Sequence, residues 1–344
     1  MSEPLFSIIV IFGRGSLEPV LLSLLAQEGA SLDIIGVAPD DSLKISDPRV
    51  KLIVAPAPNP ARRRNLAVAA SSGKYLAFID DDAIAPKDWL ARAKAIFEKS
   101  PGMAALGGTN VAPQNMSVRE QLTDLILTDQ YFGSGSRSYQ SSGDAHPARP
   151  GELHLSNFFL RRDIFDLVKG FNEKIGYGAE DSEMVYIIKQ KTNLDLWFFP
   201  EISVIHQRRA FGWELLKRNF RFRRQNGRLT WVYPDMYRWN FSLKAGLFLI
   251  LLSFSLLIFV PPALFIYSYG IAYFCAFFWR SFWLLKMSKK WLSLLAPFAY
   301  FSHHLSYLFG LAAGLLEGLF KGRTAMKRLY GREDFDQTKT SGNL

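Results

Sequence analysis

Residues 74–86 read KYLAFIDDDAIAP. A short apolar run, 75–79, ends in three consecutive carboxylates, Asp80, Asp81 and Asp82, and the segment then closes on Pro86. The run reads as a buried strand. Like charges this close repel, and burying them costs several kcal/mol each. Either the strand end opens to water or something positive waits among the acids.

The flanking sequence says what kind of strand this is. Segments 5–12 (LFSIIVIF), 32–37 (LDIIGV) and 50–54 read as further strands, and 17–27, 61–70 and 88–99 read as helices. Ser72-Gly73 is a natural stop for the second helix, and Asp88 is its N-cap counterpart for the third. Strands alternating with helices of this length argue an α/β fold with a mostly parallel sheet covered on both faces. In such sheets ligands bind beyond the carboxyl ends of the strands. Asp40 and Asp41 follow the second strand and the triple aspartate follows the fourth, so both acidic turns fall where a ligand is expected.

Composition widens the picture. The chain has 344 residues, a formal net charge of +10 and 14% aromatic residues. Such a basic chain suits acidic membrane surfaces, phosphorylated ligands or nucleic acid; the arginine-rich stretch abuts apolar runs, which favours membrane lipids and ranks nucleic acid low. The single cysteine, Cys275, excludes an internal disulfide and a cysteine-based metal site. The N-terminus lacks a basic segment and its apolar run is short, so it reads as a strand and not as a signal peptide. After about residue 242 come three apolar runs, 243–260, 263–285 and 291–320, each near the length that spans a bilayer. Pro261-Pro262 reads as a tight turn between the first two. Lysines at 286, 289 and 290 and the basic segment before 243 predict a cytoplasmic side for the N-terminal domain, in a multi-pass protein of the cell's inner (plasma) membrane. Two or three crossings both fit. The expected organisation is an α/β domain over 1–205, a basic amphipathic interfacial segment over 206–241, a transmembrane region over 242–321 and a basic, then polar, tail over 322–344.

Carboxylates one residue apart at a strand end suit a hard divalent cation, which bridges to phosphate oxygens. Arg62, Arg63 and Arg64 lie nearby in sequence as counter-charges. Further on, a glycine-rich loop (Gly176-Tyr177-Gly178-Ala179) delivers Glu180-Asp181 into a helix. Acids at a helix N-terminus are held ionised by the dipole, and an ionised carboxylate there suits a general base. Segment 213–227 carries Trp213, Leu216 and Phe220 on one side and basic residues around it, as an interfacial helix does.

These pieces together resemble the family 2 glycosyltransferases, inverting enzymes with the GT-A fold. Arg64-Asn65 followed by ASSGKY (70–75) is similar to one family segment, FIDDD (78–82) to its Asp-x-Asp strand end, SNFFLRR (156–162) to its acceptor-side segment and Glu180-Asp181 to its Glu-Asp motif. The resemblance covers roughly residues 5–230. It implies Asp181 as catalytic base with Glu180 in support, and Asp82 with Asp80 as ligands of Mg2+ or Mn2+. It implies donor contacts from Asp40, Asp41, Arg64, Asn65, Asp80, Asp81, His206 and Arg209, with Asp81 the least direct. It implies acceptor or lipid-phosphate contacts from Asn157, Arg161, Arg221 and Arg224. The partners expected are a nucleotide-diphosphate sugar, a lipid-linked or glycan acceptor and membrane lipids, in cell-surface polysaccharide biosynthesis. The segments Phe12-Gly13-Arg14-Gly15 and VAPDDS (37–42) depart from the family pattern where the nucleobase is expected. Two alternatives follow: a polyprenyl-phosphate sugar synthase, which needs no base, and a catalytically silent membrane scaffold with a degenerate nucleotide site.

Overall fold

A computed structural model describes residues 3–13, 17–56, 58–129, 131–133, 136–140, 142–148, 151–237, 262–288, 291–333 and 335. The apolar run 243–260, Pro261, Lys289, Lys290 and the residues after 335 lie outside the described residues, so the first expected span and most of the tail do too.

Among the described residues nine strands form one sheet. Strand β1 (Phe6–Ile11) lies between β2 (Leu32–Ala38) and β4 (Tyr75–Asp80), with β3 (Val50–Val54) beyond β2, and these four run parallel. Both β1 and β4 are buried along nearly their whole length, which is why they read as continuous apolar runs. Successive side chains pack into opposite layers. Ile9 and Phe78 join one apolar core, while Ile8, Val10 and Ile79 join the other. The register sets Ile11 beside both Val37 and Asp80, so the acidic ends of β2 and β4 emerge at one edge.

The sheet then turns mixed. Strand β8 (Phe158–Arg161) is antiparallel to β4 and to β6 (Met103–Val111). Strand β9 (Asp195–His206) runs parallel to β6 and takes two short antiparallel partners, β5 (Ala83–Ile84) and β7 (His146–Pro147). Helices α1 (Leu17–Leu25), α2 (Pro60–Ala69), α3 (Trp89–Lys99), α4 (Val118–Thr128), α5 (Arg162–Leu167) and α6 (Glu180–Lys191) complete this part. Asn59 caps α2 by accepting from the Arg62 amide, and Pro60 opens it, the sequence chemistry a helix start needs. Asp88 makes no side-chain cap bond for α3; it pairs with Arg92 one turn on at 2.7 Å.

The C-terminal part corrects the expectation that the runs 263–285 and 291–320 cross a membrane. Among the described residues no helix is long and apolar enough to cross a membrane. The second and third apolar runs form α8 (Pro262–Ser288) and α9 (Ala296–Lys321), and both pack on protein. Helix α9 runs parallel to the basic helix α7 (Trp213–Val232) along a seam of small residues. A Cβ on Gly314 would stand 2.1 Å from the Arg224 carbonyl oxygen, and one on Gly310 2.4 Å from that of Phe220. Glycine is what lets the two backbones approach. Glu317 of α9 neutralises Arg224 and Arg228 of α7 at 3.0 and 2.8 Å. Hydrogen bonds from Lys321, Arg228 and Arg224 outweigh burial and pull the Glu317 carboxyl down to about 2. Arg224, expected to meet lipid phosphate, is thus committed to α9, whereas Arg221 is exposed. Arg280, the interior charge of the second run, turns inward to Asp129, the C-cap of α4, at 3.0 Å, and the Tyr300 hydroxyl donates to the same carboxylate.

Described residues beyond 321 also join the core, Met326 within it and Tyr330 against it. Helix α10 (Arg323–Tyr330) leads to Arg332, whose guanidinium donates to both carboxylate oxygens of Glu183 on α6, at 2.8 and 2.7 Å, and to the carbonyls of Val168 and Gly170. Glu183 also accepts from Tyr233 and Asn172. Strand β9 runs one residue past the expected boundary at 205, to His206.

Candidate active site

The first cluster is built by β4, β5 and β9. Strand β4 ends at Asp80, the chain turns through Asp81 and Asp82, and β5 pairs antiparallel with the end of β9, setting Ala83 opposite His206. The Gln207 amide donates to the Asp82 carbonyl and fixes the same corner. His206 Nε2 therefore lies 3.0 Å from Asp82 Oδ1 and 3.7 Å from Asp80 Oδ2. Potential ligand atoms of Asp80, Asp82 and His206 lie within 4.8 Å of one another. Two carboxylates and one imidazole are a donor set that fits a divalent cation. Burial opposes ionisation of Asp82, but the hydrogen bond and charge of His206, with Arg209 behind them, leave its carboxyl below the ordinary aspartate value. His206 was expected to touch a diphosphate; the geometry groups it with the two aspartates. Asp81 points back, and its Oδ2 accepts from the Gly13 amide at 2.8 Å, tying the β4 turn to the end of β1.

The second cluster is the N-terminus of α6. Ala179, the residue before it, has φ 70°, a left-handed conformation that costs a non-glycine residue on the order of 1 kcal/mol or more. Glu180 and Asp181 follow in the first turn. Asp181 Oδ1 accepts from the Ser182 amide at 2.6 Å. Burial pushes the carboxyls of both acids above their ordinary values, against the pull of Arg64. Arg64 joins the clusters: its guanidinium is 2.9 Å from Glu180 and 3.7 Å from Asp80.

One residue unassigned from sequence, His154, stands here, with Arg218 and Arg63, which the sequence offered only as part of the basic helix and as a counter-charge. His154 Nδ1 lies 3.8 Å from Asp181 Oδ2, and its Nε2 is buried with no hydrogen-bond partner. Burial first, and then the charge of His206, hold its imidazole neutral, down to about 4. Arg218 of α7 donates to the Tyr177 hydroxyl in the glycine-rich loop. Arg63 donates to the carbonyls of Phe12 and Val37 and pins the ends of β1 and β2. His154 sits two residues before SNFFLRR, so nearness to that motif was the one available signal.

Several expected site residues are engaged in holding the fold. Asn65 both donates to and accepts from the Phe171 backbone and donates to Glu173, clipping the loop that leads to α6. Asn157 is buried; its amide donates to Thr109 and Ile202 and accepts from the Trp89 indole. Arg161 pairs with Asp163 and donates to Pro101. Asp40 and Asp41 are exposed beyond β2, and Ser42 hydrogen bonds lower the Asp40 carboxyl.

Residues 8–165 match the family model described as Glycosyl transferase family 2. The succinoglycan biosynthesis protein ExoM of Rhizobium meliloti (strain 1021) is 26% identical over 251 residues, 68% of this chain and 72% of that protein. Among solved structures the fold is similar to that of the mannosyltransferase PcManGT from Pyrobaculum calidifontis in complex with GDP-Man and Mn2+, with a TM-score of 0.54, 15% identity and coverage of 90% of this chain and 88% of that chain. At that identity the likeness shows the fold alone.

Proposed function

We propose that this chain, whose residues 8–165 belong to glycosyl transferase family 2, moves a sugar from a nucleotide-diphosphate donor to a lipid-linked acceptor with inversion, in cell-surface polysaccharide biosynthesis at the cytoplasmic face of the membrane. The observation that carries the reading is the Arg64 bridge. It ties Glu180, next to the half-buried acid Asp181, to Asp80 of the Asp80–Asp82–His206 cluster. In this reading the bridge keeps the base and the diphosphate site beside one another.

Asp181 takes the proton of the acceptor hydroxyl. As it does so, the hydroxyl oxygen bonds to the anomeric carbon, the bond from that carbon to the diphosphate breaks, and the electron pair leaves with the nucleoside diphosphate. Burial keeps the Asp181 carboxylate a better base than a solvated aspartate. Asp80, Asp82 and His206 would hold Mg2+ or Mn2+, which when bound neutralises charge on the leaving diphosphate. Arg64 holds Glu180 in line beside the base. The nucleotide sugar and the metal ion named for PcManGT, GDP-Man and Mn2+, are the first to try here.

The test is a panel of nucleotide sugars offered to detergent-purified protein, with Mn2+ or Mg2+ and with chelator, read as nucleoside diphosphate release. Asp181→Asn should bind the donor and lose transfer. Full transfer by that variant removes Asp181 as base and favours the polyprenyl-phosphate synthase reading. No binding of any nucleotide sugar by calorimetry with metal present favours the silent scaffold.

A further inference from the structure

Helix α8 is arranged inside out for a helix in water. Its face toward the protein carries Arg280, buried on Asp129, and Tyr273, whose hydroxyl meets His304 at 2.7 Å. The opposite face carries Tyr267, Ile271, Phe274, Phe278 and Phe282, spaced by three and four residues and exposed. Such spacing puts them on one stripe. Phe278 and Phe282 are 61% and 67% exposed, and Trp279 beside them 66%. Within Pro262–Ser288 the sequence has only two charges, the inward Arg280 and Lys286 at the C-terminal end. A soluble helix places its charges toward water and its aromatics toward the core. A contiguous exposed apolar patch of this kind marks an interaction site.

We propose that the outward face of α8 lies in the boundary between headgroups and acyl chains of a lipid bilayer, parallel to the surface and without crossing it. Three observations favour lipid over a second copy of the chain. The stripe carries three Phe with Tyr267 at one end and Trp279 beside it; Phe and Trp line the apolar face of in-plane helices, and Trp and Tyr settle at the membrane–water boundary. Exposed Lys286 at the end of the stripe, followed in sequence by Lys289 and Lys290, complements anionic headgroups. The sequence immediately before the helix, 243–260, is itself apolar with Lys244 as its only charge. No helix described is long and apolar enough to cross, which makes in-plane binding the arrangement that fits the exposed aromatics. The proposal does not depend on the glycosyl-transfer reading, because lipid binding is measured without turnover.

The single cysteine, Cys275, is exposed on the same helix and serves as a reporter. The full chain, labelled there with an environment-sensitive fluorophore and freed of detergent, is mixed with vesicles of phosphatidylcholine alone or with phosphatidylglycerol. The expected result is flotation with the vesicles, stronger with the anionic lipid, a blue-shifted label, and quenching by lipids brominated near the headgroup more than by those brominated at the chain end. Phe278→Glu with Phe282→Glu should weaken partitioning about tenfold or more; the milder pair F278S/F282S should weaken it less, with an unchanged circular dichroism spectrum in both. Wild-type partitioning by the glutamate pair overturns the proposal. So does strongest quenching at the chain end, which indicates crossing. A chain that ignores vesicles and elutes as a dimer, made monomeric by the glutamate pair, assigns the face to a second copy instead.

Discussion

Replacing Arg332 by methionine should destabilise the whole catalytic part of the molecule, although the residue lies far along the chain from the site. The Arg332 and Glu183 side chains are 5% and 0% exposed. Removing one partner of such a pair leaves the other as an uncompensated buried charge, at a cost of about 3–5 kcal/mol. The carbonyls of Val168 and Gly170 lose their donors at the same time. Urea unfolding followed by tryptophan fluorescence should show the midpoint falling by roughly 1 M, given a slope near ~3 kcal/mol/M or above for a chain this long. The companion change Glu183→Gln relieves the charge while keeping acceptors for Tyr233 and Asn172. In the Arg332→Met background it should return part of the loss, giving a coupling of about 2–3 kcal/mol in the double-mutant cycle. A loss under ~1 kcal/mol for R332M, or strict additivity of the two changes, would refute the reasoning.

Other outcomes follow from the site and the seam. His206→Ala should weaken Mn2+ binding in the presence of nucleotide by at least about tenfold; calorimetry giving the wild-type constant would remove His206 from the metal set. Transfer should fail as pH drops through the raised Asp181 pKa, so the acid limb of kcat/KM should lie above the ordinary aspartate value of about 3.9. The stability signs differ: a raised carboxyl such as Asp181 is relieved by protonation, while the contribution of the lowered Asp82 is complete above its ordinary value and lost as pH falls through its folded one. A limb at or below the ordinary value would show that Asp181 is not the titrating base. Gly314→Val should push α7 and α9 apart, since the added Cβ meets the Arg224 carbonyl at 2.1 Å, and cost about 1–3 kcal/mol; an unchanged urea midpoint would mean the seam is looser than the contact distances indicate.

What could be read from sequence tracks the range of the interactions. The parallel half-sheet and its acidic strand ends rest on local apolar runs and turns, and residues 75–82 display both within eight positions. The Glu180-Asp181 pair likewise carries its own loop and helix start. The grouping of His206 with Asp80 and Asp82 rests on pairing between residues 83 and 206, which no local pattern encodes. Asn65 and Asn157 show the same gap from the other side: their motif positions are visible, but whether an amide faces a ligand or a backbone is decided by partners about a hundred and fewer residues away. Hydropathy marked the two C-terminal runs as apolar. It could not tell a lipid chain from helix α7 as the neighbour, and Arg280 was unreadable without Asp129, 151 residues earlier.

The Arg332 latch also sets a clock. Glu183 leaves the ribosome 149 residues before its partner. At ~5–20 residues per second the interval is about 7–30 s. For most of it, once β9 has followed, the helix bearing Asp181 has its apolar neighbours from the sheet but not the cation that seats it. The site is therefore completed last, when synthesis has passed residue 332, and a chain that stops sooner carries every acid of the two clusters without the means to lock them in place.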